Sequence, residues 1–490
     1  MVNTSQNTHF TLLAALRAIL PPAGLLHAPE DTRPYECDGL SAYRQLPTIV
    51  VLPETIAQVQ EIMRICVRYN VPVVARGAGT GLSGGALPHA SGILLSLTKF
   101  NRILDVDVPN RSARVQPGVR NLAISQAVAQ HGLYYAPDPS SQIACSIGGN
   151  VAENAGGIHC LKYGLTVHNI LKLLVVTADG ELITVGGTGL DAPGYDLLAL
   201  LTGSEGMLGI IVEITVKLLP KPEQARAVLA AFMDIEQAGA AVAAIIAAGV
   251  IPAGLELMDK RALQAAEAFV HAGYPLDAAA ILLCELDGVT EEVAATLAQV
   301  ETILFQAGAY EVRIARNEQE RSTFWAGRKA AFPAVGRLAP DYYCMDGTIP
   351  RKHLAAVLHK IAELSTQFQL PVANVFHAGD GNLHPLILFD ANNAGELARA
   401  EAFGGKILEL CVAVGGTITG EHGVGVEKIG HMCVQFSGEE LAQFHAIKYA
   451  FDPLGLLNPG KAVPSLHRCA EFGAMHVKAG KLPFPELERF

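Results

Sequence analysis

The order of apolar and polar positions predicts a strand, a helix and a second strand near residue 50. TIVVL at 48–52 and PVVAR at 72–76 are short apolar runs of the kind found in buried strands. Between them the apolar positions have helical spacing: Ile56, Val59, Ile62, Met63, Cys66 and Val67. The first sheet is therefore expected to begin in strand–helix–strand order.

Short strand-like runs continue from this point to about residue 220. They read ILLSL, ILDVDV, ARVQPGV, LLVVTADGELITV and IIVEITVKLL. Asp179-Gly180 lies inside the fourth run and predicts a hairpin turn there. The pattern indicates a first domain of α+β class with a glycine-rich middle.

The polar, proline-bearing stretch KPEQ at 221–224 predicts a domain boundary. Beyond it, helical patterns at 235–249, 291–308 and 353–368 alternate with the strand-like runs AAAILLCEL, YEVRIA and VANVFHAG. This alternation predicts a second α+β domain, with a smaller sheet covered by helices on one face. The chain from FDPLGLLNPGK onward is proline-rich and reads as a loop.

Composition and charge exclude several classes of protein. A chain of 490 residues with 48 glycines and 17% charged residues is long enough for two or three well-packed domains. The net charge of −11 and the lack of a long basic run argue against nucleic-acid binding. The uncharged stretch 238–254 is too short for a normal membrane span and predicts a packed helix.

The N-terminus and the cysteines point to a cytoplasmic protein. MVNTSQNTHF has neither a basic region nor an apolar core, so no signal peptide is expected. The 9 cysteines are scattered without a C-x-x-C pair, which fits reduced thiols and disfavours an iron–sulfur cluster in this chain.

A glycine-rich loop at 76–85, RGAGTGLSGG, contains G-x-G-x-x-G at Gly79, Gly81 and Gly84. A dinucleotide-binding Rossmann motif would open a helix and be followed by an acidic residue about 20 positions later. Here a strand follows almost at once and no acidic residue comes before Asp105, so NAD binding is disfavoured. The loop is interpreted as a backbone cradle for phosphate, with a tight solvent-exposed turn as the alternative.

Two further glycine-rich segments, SIGGNVAENAGG at 146–157 and TGSEGMLGII at 202–211, are flanked by apolar residues. Small residues let the backbone approach a flat ligand closely. Together with PDPSS at 137–141, the three loops resemble the FAD-binding domain of the vanillyl-alcohol-oxidase/PCMH flavoprotein superfamily. The resemblance implies FAD bound without a Rossmann fold. It also implies a non-covalent flavin, because Thr80 occupies the position at which other members carry a flavin-linking histidine.

The resemblance assigns a large set of cofactor-binding residues, in which 76–85 would hold the pyrophosphate and the later segments would run past the flavin. They are Arg76, Gly77, Gly79, Thr80, Gly81, Leu82, Ser83, Gly84, Gly85, Pro137, Asp138, Ser140, Ser141, Gly148, Gly149, Asn150, Ala152, Asn154, Gly156, Gly157, Glu205, Gly206, Gly209, Ile210, Ile211 and Asn458.

A cluster of histidines and a carboxylate stands in the second domain. VFHAGDGNLHP contains His377 and His384, and TGEHGVGVEK contains Glu421 and His422. Two imidazoles and a carboxylate suit Zn, Mn or Fe and would leave positions open for a hydroxy acid. The alternative is a pair of strands whose histidines are simply buried and hydrogen-bonded.

H-A-G-D-G-N-x-H and G-E-H-G-x-G resemble signatures of the FAD-linked D-lactate, D-2-hydroxyglutarate and glycolate dehydrogenases. The segments DYYCMDGTIPR, GGKILELC, HRCAEFGAMHV and LPFPELERF favour the glycolate-oxidising members. The resemblance covers nearly the whole chain. It implies His377, His384 and Glu421 as metal ligands, His422 as general base and Arg328 as the clamp for the substrate carboxylate. From the sequence alone, an exposed helix arginine is the alternative for Arg328.

The implied architecture is α+β: a helical segment at 1–47, a PCMH-type FAD-binding domain at 48–222, a ferredoxin-like substrate or cap domain at 223–455, and a segment at 456–490 that returns to the FAD domain. In the hydroxyglutarate branch a lysine stands two residues before the counterpart of Asp346, where this chain has Cys344. We therefore expect a monocarboxylic substrate, glycolate or D-lactate.

The expected reaction is oxidation of glycolate to glyoxylate, or of D-lactate to pyruvate, with hydride transfer to FAD. The expected partners are a second flavin-type subunit and an iron–sulfur subunit, which would place a cytoplasmic chain at the inner face of the membrane. The alternatives are D-lactate or D-2-hydroxyglutarate dehydrogenase, an oxidase using O₂, a C–O lyase or aryl-ether-forming flavoprotein, and a non-catalytic assembly subunit.

Overall fold

The computed structural model describes residues 2–189 and 194–464. The helices and strands up to residue 220 are, in chain order, α1 (Val2–Ile19), β1 (Leu25–Leu26), α2 (Pro29–Thr32), β2 (Ile49–Val51), α3 (Ile56–Tyr69), β3 (Val73–Arg76), β4 (Ile93–Ser96), β5 (Ile103–Asp107), β6 (Ser112–Val115), α4 (Asn121–Val128), β7 (Leu133–Tyr134), α5 (Ile147–Glu153), α6 (Cys160–Tyr163), β8 (Ile170–Val176), β9 (Leu182–Gly186), α7 (Leu197–Leu201), β10 (Ile210–Lys217) and β11 (Leu219–Pro220).

The elements after residue 220 alternate between strands and longer helices. They are β12 (Gln224–Phe232), α8 (Ile235–Ala247), β13 (Gly254–Asp259), α9 (Lys260–Val270), β14 (Ala280–Gly288), α10 (Thr290–Gln306), β15 (Glu311–Ile314), α11 (Glu318–Lys329), α12 (Ala331–Val335), β16 (Asp341–Cys344), α13 (Leu354–Phe368), β17 (Val372–Phe376), β18 (Pro385–Phe389), α14 (Glu396–Ala413), α15 (Met432–Gln435) and α16 (Gly438–Phe451).

The first half of the chain forms two main sheets. One has four strands in the order β1-β2-β4-β3, in which β2 and β3 run parallel to β4. The other is antiparallel, in the order β5-β6-β10-β8-β9. The predicted strand–helix–strand unit and the predicted hairpin are both confirmed: α3 joins β2 to β3, and Gly180, with φ of +84°, turns β8 into β9.

Local sequence sets the bounds of α3. Thr55 accepts a hydrogen bond from the backbone N–H of Gln58, whose side chain returns a bond to the Thr55 backbone, so the helix begins with a capping box. Asn70, in the left-handed conformation, ends it. The buried face carries Val59, Ile62 and Met63 at helical spacing.

The second half is built on a seven-stranded antiparallel sheet in the order β15-β12-β14-β13-β17-β18-β16. The prediction of a smaller sheet with helices on one face is wrong, because this sheet is the largest in the described chain and is covered on both faces. Alternate residues of β12 enter different cores: Val228 packs with α8, α10 and α13, and Leu229 packs with α9 and α11. Burial of both faces requires apolar residues at every position.

The chain after α16 lies against the first half. Leu457 forms a parallel bridge with Val73 and is buried in the core beneath α3. Asn458 Nδ2 donates to the carbonyl oxygens of Gly85 and Glu205, at 2.9 and 2.7 Å. These residues therefore brace two of the glycine-rich loops; the rest of the predicted C-terminal segment, 465–490, lies outside the described residues. Among the described helices, none combines the length and apolar character of a membrane span.

Candidate active site

A cavity of about 390 Å³ lies between the glycine-rich loops of the first half and the histidine cluster of the second. Its volume falls in the range of small-molecule binding sites. The predicted cofactor residues that line it are Arg76, Gly77, Gly79, Thr80, Gly81, Leu82, Gly85, Ser140, Ser141, Gly148, Gly149, Asn150, Ala152, Glu205, Gly206, Gly209 and Ile211. His384, Glu421 and His422 line the same cavity from the other side.

The loop after β3 forms a cradle whose shape depends on glycine. Gly79 has φ of +73°, in the left-handed region that favours glycine. A Cβ on Gly77 would lie 2.0 Å from Ser146 Oγ, so only glycine allows the two loops to meet here. A Cβ on Gly81 would meet only Glu153 Oε1, at 4.0 Å, and would enter the cavity. The loop thus leaves space for a ligand at Gly81, which fits the phosphate cradle that FAD requires.

Arg76 supports this loop from behind. Its Nη1 donates to the backbone carbonyls of Cys37 and Tyr35, at 2.7 and 3.3 Å, and the residue is buried. The guanidinium therefore ties the loop to the segment before β2.

The other predicted cofactor residues are not among the described residues that line the cavity: Ser83, Gly84, Pro137, Asp138, Asn154, Gly156, Gly157, Ile210 and Asn458. A Cβ on Gly84 would lie 2.5 Å from Val426, and one on Gly156 would lie 2.3 Å from Glu421 Oε2. These glycines permit the second half to approach the loops. Their assignment as direct cofactor contacts stays a prediction.

Two carboxylates, Glu205 and Glu153, lie at the cavity wall, and Glu205 joins the halves. Glu205 accepts from the backbone N–H groups of Val424 and Gly425, both at 2.7 Å. Glu153, which the sequence analysis missed, has an Oε2 atom without a hydrogen-bond partner in the described chain. Burial, followed by the neighbouring charge of Glu205, raises the pKa of Glu153 well above its usual value. A neutral Glu153 would not repel a bound anion.

The two predicted histidine ligands stand at the ends of adjacent strands. His377 follows β17 and His384 precedes β18, and the connection closes through a bridge between His377 and Asn382. Their Nε2 atoms converge on Oε1 of Glu421, at 3.3 Å from His377 and 2.9 Å from His384. The structure thus brings together all three predicted metal ligands.

Groups behind the histidines orient them. His377 Nδ1 lies 2.8 Å from Glu256 Oε1, and His384 Nδ1 lies 3.3 Å from the Met345 carbonyl oxygen. Histidine ligands of metals are typically held in this way at the ring nitrogen that does not bind the metal. The donor set therefore fits a divalent cation.

Asp346, two residues after the end of β16, positions the loop that carries Glu421 and His422. Its carboxylate accepts from the backbone N–H groups of Gly420, Glu421 and His422, with the last bond 2.9 Å long. Burial opposes ionisation, but the charges of Lys428 and of His422, which is protonated only in acid, outweigh it and lower the pKa of Asp346 to about 2. The loop is therefore anchored on a carboxylate that stays ionised.

His422, the predicted base, lies beside the predicted ligands. Its ring stacks on that of His384 with centroids 4.9 Å apart. Burial lowers the pKa of His422 to about 4, so the imidazole is neutral near pH 7. Its Nδ1 has no hydrogen-bond partner within the described residues. A neutral ring with a free nitrogen can accept a proton.

Arg328 occupies a different place from the one expected of a substrate clamp. It is 1% exposed, and its Nη2 and Nε lie 2.5 and 2.8 Å from Glu256 Oε2. Arg328 is not among the described residues that line the cavity. The next residue, Lys329, lines it, together with Phe332 and Pro333. The structure connects Arg328 through Glu256 to His377, and its direct contact with substrate stays a prediction.

Cys344 lies close to the same cluster. Its Sγ and the ring nitrogens of His384 and His422 form a second group within 4.8 Å that shares His384 with the first. Burial, foremost, raises the pKa of the Cys344 thiol well above its usual value. We therefore treat His377, His384 and Glu421, whose carboxylate is ionised, as the better ligand set.

Comparison with protein families and curated proteins adds independent information. Residues 47–186 match the family model of the FAD binding domain, and residues 221–462 match that of the FAD linked oxidases, C-terminal domain. The chain is 67% identical over 98% of its length to glycolate oxidase subunit GlcD of Escherichia coli, covering 96% of that protein. It is 40% identical to the Bacillus subtilis protein of that name over 87% of its length, covering 91%. Against the D-lactate dehydrogenase of Anaerostipes hadrus the identity is 32%, covering 90% of this chain and 95% of that protein.

Solved structures with low sequence identity share the fold. p-Cresol methylhydroxylase superposes with a TM-score of 0.79 at 17% identity, covering 94% of this chain and 98% of the other. Alkyldihydroxyacetonephosphate synthase superposes with a TM-score of 0.73 at 18% identity, covering 92% and 85%. The predicted VAO/PCMH-type α+β fold and the family resemblance are confirmed.

Proposed function

The chain belongs to the family of FAD-linked oxidases, and on that premise we propose that it oxidises glycolate to glyoxylate, and D-lactate to pyruvate. One observation carries the proposal: a single cavity is lined both by the glycine-rich loops and by the cluster of His384, Glu421 and His422. The curated relatives named above, which include a glycolate oxidase subunit and a D-lactate dehydrogenase, support the choice of substrate class.

We assign the cofactor to the loops at 76–85 and 146–157, bound without a covalent link at Thr80. FAD, when bound, accepts the α-hydrogen of the substrate together with its electron pair. The glycine cradle positions the cofactor, and the open side of Gly81 leaves room for its phosphates. The two halves meet where Glu205 accepts from the backbone N–H groups of residues 424 and 425, and this contact would limit the entry of water.

His377, His384 and Glu421 would hold a divalent cation such as Zn, Mn or Fe. A cation held by these residues would supply Lewis-acid chemistry, lowering the pKa of the substrate hydroxyl. Both histidines present Nε2 because Glu256 and the Met345 carbonyl hold their Nδ1 atoms.

His422 takes the hydroxyl proton, because its neutral ring stands against His384 and has a nitrogen free to accept it. Loss of that proton and of the α-hydride leaves a carbonyl at the carbon that was oxidised. We also propose Arg328 as the ligand of the substrate carboxylate. In that role its guanidinium would contact both the substrate and Glu256.

The electrons are proposed to leave through other proteins: a second flavin-type subunit and an iron–sulfur subunit that lead to the membrane quinone pool. The scattered cysteines of this chain support that idea, and so does the name of the Escherichia coli relative, which describes it as a subunit.

Steady-state turnover of the purified chain with an artificial electron acceptor tests the proposal. Glycolate and D-lactate should reduce the acceptor, and L-lactate should do so far more slowly. A colourless protein without FAD would overturn the proposal in favour of an assembly role. Fast peroxide formation without any acceptor would instead identify an oxidase.

A further inference from the structure

A row of ion pairs runs from the cofactor side to the metal side, and three of its members, His159, Glu285 and Arg321, take no part in the proposed chemistry. It begins at Asp138, in the segment 137–141. Asp138 accepts from the His159 backbone N–H at 3.2 Å, and its other oxygen lies 2.7 Å from His159 Nδ1. The opposite ring nitrogen of His159 lies 3.2 Å from Glu285 Oε1, on β14. His159 therefore bridges carboxylates from the two halves of the chain.

Glu285 also contacts helix α11. Its second oxygen accepts from Arg321 Nη1 at 2.6 Å and from Trp325 Nε1 at 2.5 Å. Arg321, Trp325 and Arg328 follow one another at spacings of four and three residues, so they share one face of the helix. Arg328 is the residue that pairs with Glu256, which in turn holds His377.

The charges along this row alternate in sign. Burial alone would lower the pKa of His159, but Asp138 and then Glu285 outweigh it and raise that pKa to about 10. Burial alone would raise the pKa of Glu285, but His159 and then Arg321 outweigh it and lower that pKa to about 2. A cation thus lies between two anions near pH 7.

Close packing reinforces the bridge. Gly254, which pairs with Glu285 across β13 and β14, has Ile158 on one side and Trp325 on the other. A Cβ there would lie 2.9 Å from Ile158 and 3.4 Å from Trp325. The loop before His159 can therefore seat against the sheet only because residue 254 is glycine.

We propose that His159, Glu285 and Arg321 are positioning residues that couple the cofactor-binding segment 137–141 to helix α11, and through Arg328 and Glu256 to the metal site. The inference deepens the proposed function and rests on it, because it concerns the alignment of the two sides of that cavity. It predicts that a change on α11, outside the cavity, alters FAD binding by way of His159.

The experiment measures the FAD dissociation constant of the full chain, without any hydroxy acid, for Arg321→Gln, His159→Gln and the double variant. Each single change should weaken FAD binding about fivefold to tenfold, and the double change should equal a single one, because both break the same row. Arg316→Gln is the matched control, since Arg316 is exposed and pairs only with its neighbour Glu320 among the ion pairs of the described chain. That control should bind FAD like the wild type.

Trp325→Phe supplies a second variant, which keeps an aromatic ring but removes the N–H donor to Glu285 along with part of the ring volume, and it should weaken FAD binding in the same direction. Unchanged FAD binding in Arg321→Gln and Trp325→Phe would overturn the coupling, and so would a double variant whose effect is the product of the singles. A chain that binds FAD with these coupled effects but does not oxidise glycolate would refute the proposed substrate and support the coupling.

Discussion

The imidazole rings of His384 and His422 stack with their planes 9° from parallel and their centroids 4.9 Å apart. His384 also lies 2.9 Å from Glu421, whereas the nearest ring nitrogen of His422 lies 3.9 Å from that carboxylate. The predicted ligand and the predicted base are thus adjacent but differently bound, and substitutions should separate their roles.

His384→Ala should remove the bound metal and lower turnover by about 100-fold or more, because only His377 and Glu421 would remain as protein ligands. FAD content should stay near that of the wild type. His422→Ala should lose turnover and keep the metal. Metal analysis and flavin absorbance of both variants check this; wild-type metal content in His384→Ala would reassign the cluster to hydrogen bonding.

Gly81→Val should lower flavin content at least tenfold, about 1.4 kcal/mol or more in binding free energy, because its side chain would enter the cavity from the cradle. Gly187→Val is the control: an added Cβ there meets only a backbone nitrogen, at 4.0 Å, and residue 187 is outside the described lining of the cavity. Absorbance of released FAD per chain measures both. If Gly81→Val binds as much FAD as the wild type, the phosphates do not lie beside Gly81.

Patterns local in the sequence predicted much of the fold and of the site. The spacing in α3, the Asp179-Gly180 turn and the glycine-rich loops are each contained within about 20 residues. The sequence analysis did not predict that helices cover both faces of the large sheet, although β14, with its run AILLCEL, is apolar at nearly every position. Such a run indicates burial on both sides and could have revealed the second helical layer.

Contacts between residues far apart along the chain could not be predicted from a single sequence. Glu256 contacts Arg328 and His377, which follow it by 72 and 121 residues. A single glutamate in a strand does not indicate which distant residues it will contact. For the same reason the pairing of Arg328 with a buried carboxylate could not be foreseen.

The His159 bridge should make stability depend on pH. Its pKa is raised from 6.5 to about 10, so its stabilisation is complete below about pH 6.5 and is lost as the pH rises through about 10. The free energy of unfolding of the wild type should exceed that of His159→Gln most near pH 6, and the difference should shrink towards pH 10. Asp138 and Glu285 are the charged groups facing the ring.

His359→Gln provides the control for that series, because His359 is 62% exposed on the surface. Its unfolding free energy should track that of the wild type from about pH 6 to about pH 10. Denaturant unfolding at each pH measures all three chains. A constant gap between wild type and His159→Gln would contradict the charged bridge.

Cys344 should restrict the substrate to monocarboxylates. The thiol lies within 4.8 Å of ring nitrogens of His384 and His422 and offers no positive charge to a second carboxylate. We expect kcat/KM for glycolate and D-lactate to exceed that for D-2-hydroxyglutarate by about 100-fold, since an unpaired buried charge is costly. Equal values for the three acids would contradict this.

Anaerobic mixing of the purified, FAD-loaded chain with glycolate or D-lactate tests the central claim most directly. The flavin absorbance should bleach without any partner subunit, because the predicted cofactor loops, the predicted metal ligands and His422 all line one cavity or adjoin it in this chain. His422→Ala, loaded with FAD to the same extent, should stay yellow. If the wild type also stays yellow with both acids, this chain alone does not contain a complete site for hydroxy-acid oxidation.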